Sequence, residues 1–127
     1  SPLFFIIFVF MIAPSEKYLS FFLYDSATSA VNHYDKVEIP VDGVMLIAKD
    51  TTNPSTQLNI YYRTGFMYNI THTTDGGGVV REAFRQGFIA ARQGTDPITD
   101  LVFRIPGDHS IPTLSFYIKT IAVVRIP

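Results

Sequence analysis

The longest apolar run in the chain comes first. Residues 3–13 (LFFIIFVFMIA) carry no polar side chain and lie between Pro2 and Pro14. As a helix this run spans only about 16 Å against a hydrocarbon core of about 30 Å, so it does not cross a bilayer alone. Extended, it reaches about 36 Å, and its Phe, Ile and Val content suits a strand buried on both faces. A secretory signal peptide has a similar outline, but no basic residue or initiator Met precedes the run, so the segment is expected to stay with the domain. Residues 18–24 (YLSFFLY) are then either a second strand after a turn or the continuation of a helix kinked at Pro14.

Further along, the pattern is one of short strands. Residues 26–34 read as a connection, and residues 36–39 as a strand stopped by Pro40. Val41, Asp42 and Gly43 form a turn signal. Residues 44–48 (VMLIA) read as a buried strand, and residues 49–56 as a loop of turn formers. Residues 58–62 and 66–70 make a hairpin candidate around Arg63-Thr64-Gly65, with Gly65 able to take a positive φ. After a loop at 71–78 the period changes. Val80, Ala83, Phe84, Gly87, Phe88 and Ala91 recur at three- and four-residue steps and predict a helix over 79–92, with Gly94 as its stop and Gly87 as a weak point. Residues 101–105, 114–118 and 121–126 read as three closing strands, with loops at 94–100 and 106–112. Strands that end in Ile-Pro, as at Ile39-Pro40, stop pairing there and blunt an edge.

These elements predict a mainly β fold: an antiparallel β-sandwich, jelly-roll or Ig-like, with one short helix near 79–92. The expected organisation is an apolar segment over 1–14 and a single β-rich domain over 15–127. At 127 residues the chain is large enough for one core and too short for two. The net charge of -1 argues against a general nucleic-acid or anionic-membrane surface, and with no cysteine there is no disulfide, thiol nucleophile or thiolate metal site.

Candidate chemistry is sparse. His33, His72 and His109 do not share a metal-ligand spacing, and Asp108, His109 and Ser110 are adjacent in sequence, which is not how a catalytic triad is recognised. No nucleophile and base, cofactor motif or metal cluster emerges, so no enzyme activity is expected. Asp75 followed by Gly76, Gly77 and Gly78 ahead of the helix reads either as a backbone nest for an anion or as a solvated loop with Asp75 near the cap. Arg81 and Arg85, one turn apart, are suited to a carboxylate or an acidic partner, or are simply solvated. Asn69-Ile70-Thr71 is a formal glycosylation sequon at Asn69. Tyr61, Tyr62 and Tyr68 cluster on the hairpin, where projecting tyrosines stack on sugar rings, although adjacent Tyr61 and Tyr62 must point to opposite faces of a strand.

The apolar start sets the leading expectation. Full burial of Leu3, Phe4, Phe5, Ile6, Ile7, Phe8, Val9, Phe10 and the remaining three side chains is worth on the order of 15–30 kcal/mol before entropy, enough to hold subunits together. The chain is therefore expected to be an extracellular or cell-surface structural subunit, a filament or shell component whose partners are copies of itself. The alternative is a secreted β-sandwich module that binds carbohydrate. A weaker option places residues 3–24 partly in lipid.

Overall fold

The computed structural model describes residues 16–24, 33–101 and 117–126, with side chains from residue 36 onward in the second span. The run at 3–13 and residues 102–116, including Asp108, His109 and Ser110, lie outside the described residues. Among the described residues the fold is mainly β, with two sheets and one helix. In chain order the elements are β1 (Tyr18–Tyr24), β2 (His33–Pro40), β3 (Val44–Lys49), β4 (Gln57–Tyr62), β5 (Phe66–His72), α1 (Val79–Gln93), β6 (Ile98–Asp100) and β7 (Ile118–Arg125).

A three-stranded sheet runs β2-β1-β6 and a four-stranded sheet runs β3-β4-β5-β7. The Val41-Asp42-Gly43 turn carries the chain from the first sheet to the second. Gly43 takes φ 85° and Gly65, in the β4–β5 hairpin, takes φ 95°, positions where a side chain would strain the backbone. The hairpin pairs Leu58 with Ile70 and Ile60 with Tyr68, as the alternation predicts. One core joins both sheets and the helix: Leu19 and Phe21 from β1, Ile39 from β2, Leu58, Ile60 and Tyr62 from β4, Ile70 from β5, Ile118 from β7, and Val80, Phe84, Phe88 and Ala91 from α1. Phe21 and Phe84 meet edge to face at 5.3 Å between ring centres.

Several expectations need correction. Of the two readings open for residues 18–24, the structure shows the strand and not the helix. Leu19 and Phe21 point into the core while Ser20, also buried, faces the other way and donates to Asp100 Oδ1 at 2.5 Å, which makes β1 a central strand covered on both faces. The connection predicted over 26–34 ends earlier, because β2 already begins at His33. The loop expected at 94–100 contains β6, whose residues Ile98–Asp100 pair in parallel with Tyr18, Leu19 and Ser20, so the three-stranded sheet is mixed rather than purely antiparallel. A parallel neighbour needs a long crossover, and the α1 connection supplies it. The reach from 118 to 125 is one strand rather than the ends of two, with Lys119 and Thr120 exposed within it. Finally, among the described residues β3 is an edge strand and not a buried one: Met45 is 63% exposed and Leu46 54%.

The helix spans Val79–Gln93, one residue beyond the predicted end, and Gly94 N–H closes it on Ala90 O at 2.9 Å. Gly94 does this with φ -80°, so its stop does not use the left-handed conformation. Lys17 Nζ adds a cap by donating to the carbonyls of Arg92 and Gly94, at 3.1 and 2.6 Å. Gly87, a weak point on propensity, sits where the helix comes closest to β1: a Cβ there would lie 3.1 Å from Leu19 Cδ1 and 3.3 Å from Leu101 Cδ1. Its missing side chain is what lets the helix settle onto the sheet.

Candidate functional surface

The glycine-rich loop before α1 is already occupied by its own carboxylate. Asp75 is buried, and its Oδ1 accepts from Gly77 N–H at 3.1 Å while Oδ2 accepts from Val80 N–H at 2.8 Å. Burial pushes its pKa up, but the backbone N–H groups of Val80, Val79 and Gly77, with His72 nearby, outweigh this and hold it below the ordinary carboxylate value. The convergent amides thus bind an internal anion, and Asp75 is neither solvated nor a vacancy for an external one. Gly78 at the N-cap takes φ 78°, and the helix start lies against Lys49 at the end of β3. His72, the last residue of β5, is buried just before this loop with Nδ1 2.6 Å from Thr73 O, and burial lowers its pKa despite that contact. The backbone of His33 lies in β2, far along the sequence, and His109 lies outside the described residues.

The hairpin tyrosines are divided between two environments. Tyr62 is buried, donates its hydroxyl to Pro40 O at 2.5 Å, and stacks on Phe66 at 4.7 Å between ring centres. Tyr68 meets both rings edge to face, at 5.5 and 5.3 Å, on the core side. Burial raises the pKa of Tyr62 strongly and that of Tyr68 to a lesser degree. Tyr61, one residue from Tyr62, faces the other side of the sheet and is half-buried. The structure therefore does not bring the three rings to one ligand-facing surface.

Asn69 lies in the middle of β5, opposite Asn59. Its Nδ2 donates to Asn59 Oδ1 at 2.7 Å and to Gln57 Oε1 at 3.3 Å, and Asn59 Nδ2 in turn donates to Asp50 Oδ1 at 3.1 Å. This ladder of amides ties β4, β5 and the 49–56 loop together on the face away from the core. A glycan on Asn69 Nδ2 would replace one of its two N–H donors and so break at least one of these bonds.

What the fold presents outward are the two margins of the four-stranded sheet. β7 forms one margin: Val123 is 68% exposed and Val124 38%, one on each face of the strand, and among the described residues β5 is its only strand partner. β3 forms the other. Between β3 and α1 lies an open groove of about 490 Å³, with Met45, Leu46 and Ile47 on the strand side and Arg81, Arg85 and Arg92 on the helix side, and Phe88 at its floor. The sequence pairs Arg81 with Arg85 and marks Arg92 only as a charge suited to the helix's C-terminal dipole, not as a third member of a groove wall. The signal was present, since at about 100° per residue all three arginines fall within about 40° of one another. Arg85 is paired with Glu82 at 3.0 Å, and the pair is exposed.

Comparison with known protein families, curated proteins and solved structures gave no match. The surface itself is therefore the basis for a functional reading.

Proposed function

We propose that the protein is a structural subunit that assembles with copies of itself, at the cell surface or outside the cell, by placing the apolar segment 3–13 of one copy on the β7 margin of the next. The observation that supports this reading is β7: among the described residues an outer strand, with exposed valines on both faces and with its charges, Lys119 and Arg125, kept near its two ends. Edge strands usually resist pairing through central charges or prolines, and β7 has neither from Thr120 to Val124. An uncharged apolar segment is its natural complement, because strand addition satisfies the backbone of both and removes both from water. Donation from one copy to the next is a head-to-tail contact, which builds open arrays unless the rotation closes. In this reading the two sheets are the layers of a β-sandwich of jelly-roll or Ig-like type.

The carbohydrate-binding alternative has less to draw on, since Tyr62 and Tyr68 are committed to the core side and only Tyr61 remains on the other face. Among the described residues no helix is long and apolar enough to cross a membrane, and residues 3–13, on which the lipid option rests, lie outside them.

Light scattering and electron microscopy of the full chain test the proposal. Native protein is expected as polymers or large closed particles, and Phe8→Asp as a folded species at the monomer mass of 14.3 kDa. A native monomer, or unfolding of the Phe8→Asp variant in place of dissociation, overturns it.

A further inference from the structure

The β3 margin differs in chemistry from β7, and we infer that the groove between β3 and α1 is a docking site for an extended acidic peptide segment of a partner protein. In an antiparallel ladder every second residue turns its N–H and C=O away from the neighbouring strand. β3 pairs with β4 alone among the described residues, with a register shift between Val44 and Leu46 and regular pairing from Leu46 to Lys49, so its outer N–H and C=O groups form an open edge beside the groove. Met45 and Leu46, both more than half exposed, add apolar surface beside it.

The opposite wall selects the charge of the occupant. Arg81 and Arg92 make no ion pair among the described residues, and Arg85 shares only the exposed Glu82. Lys49, at the end of β3, lies against the helix start at Gly78. The spacing also fits a strand. Arg81 and Arg85 are about 6 Å apart along the helix axis, and same-face residues two apart on a strand are separated by about 6.6 Å. A peptide with carboxylates at alternate positions thus meets successive guanidinium groups while its backbone adds to β3.

Two other occupants fit less well. A β7 strand from a second copy brings Lys119 and Arg125 toward the arginines. A nucleic acid has the charge but cannot continue a β-ladder, and the one aromatic ring in the groove, Phe88, is only 1% exposed and gives bases nothing to stack on.

The test uses the full-length protein and a labelled ten-residue peptide of alternating Glu and Val, read by fluorescence anisotropy. Saturable binding is expected, weakened about tenfold or more by Arg81→Glu with Arg85→Glu and by raised salt, while the melting temperature of the double variant stays close to that of the native protein. A peptide of the same sequence, N-methylated at alternate residues on its pairing edge, is expected to lose binding because it cannot complete the ladder. Absence of saturable binding at millimolar peptide overturns the inference. So does equal binding of the N-methylated peptide, equal binding of a Lys-Val peptide, or tighter binding of a single-stranded oligonucleotide. Because the groove and β7 are opposite margins, Phe8→Asp is expected to bind the peptide normally, which separates failure here from failure of the assembly proposal.

Discussion

The carboxylate of Asp75 is the most exacting local feature of the fold, and Asp75→Ala measures it. Two of its bonds are to backbone amides in unequal settings. Gly77 is exposed, so water replaces the bond its N–H loses, whereas Val80 is fully buried and its N–H is left without a partner. Loss of a helix cap costs about 0.5–2 kcal/mol, and an orphaned buried donor adds about 1–3 kcal/mol. The expected total is about 2–4 kcal/mol, taking the centres of those ranges. At about 4 °C per kcal/mol for a chain of this size, the melting temperature falls by about 8–16 °C. Asp75→Asn keeps one acceptor but turns an amide N–H₂ toward the second donor, so it falls between native and Ala.

The pH dependence supplies a stricter check. The folded-state pKa of Asp75 is lowered, so the unfolded chain binds more protons between the two values, and the stabilisation is present above the unfolded value of about 3.9 and lost as pH falls through the folded one. Urea unfolding of native protein and Asp75→Asn across pH 7 to 2 is therefore expected to show a gap that narrows below about pH 4. A loss of less than about 1 kcal/mol for Asp75→Ala at pH 7, or a native-to-Asn gap that is independent of pH, refutes the assignment of Asp75 as an ionised cap.

Three further outcomes are expected. Gly87→Ala gains about 1 kcal/mol of helix propensity but crowds Leu19 and Leu101, leaving stability near native, whereas Gly87→Val adds branching to a contact already at 3.1 Å and loses about 1–3 kcal/mol in urea melts. Tyr62→Phe leaves Pro40 O without the hydroxyl that donates to it and costs about 1–2 kcal/mol, read by chemical denaturation, with the Phe66 stacking retained. His72 is held neutral by burial with its pKa below the ordinary 6.5, so it makes stability decline as pH falls below that value toward the folded pKa; His72→Gln should flatten this part of the stability profile.

Much of the local architecture was legible in the residues. The period of Val80, Phe84, Phe88 and Ala91 marked the helix because those positions recur on one side of a 3.6-residue turn, and all four are buried. Gly43 and Gly65 marked turns because few other residues tolerate a positive φ. The alternation of Leu58, Ile60, Tyr68 and Ile70 fixed which faces of the hairpin meet the core. The candidate surface was legible only in fragments. Arg81 and Arg85 were visible as a basic pair, but that they face an open strand edge was not, because an apolar run such as VMLIA has the same composition whether its edge is paired or free.

What the tertiary structure decided were the partnerships between distant segments. Ile98–Asp100 follows turn-forming residues and became a strand only because Tyr18, Leu19 and Ser20 offered it an open side. Asp75 reads in sequence as part of an anion nest or of a solvated loop near the cap, and only packing buries it against the helix start; that Tyr61 and Tyr62 face opposite ways is legible in the alternation, but which of them meets the core is not. Hydrophobic period and backbone freedom are properties of a few neighbouring residues, so sequence alone determines them. Edge or centre, buried or exposed, paired or free are properties of segments 80 or more residues apart, as in the Ser20–Asp100 bond and the Tyr24–Tyr117 ring contact, and only the folded chain brings those segments together.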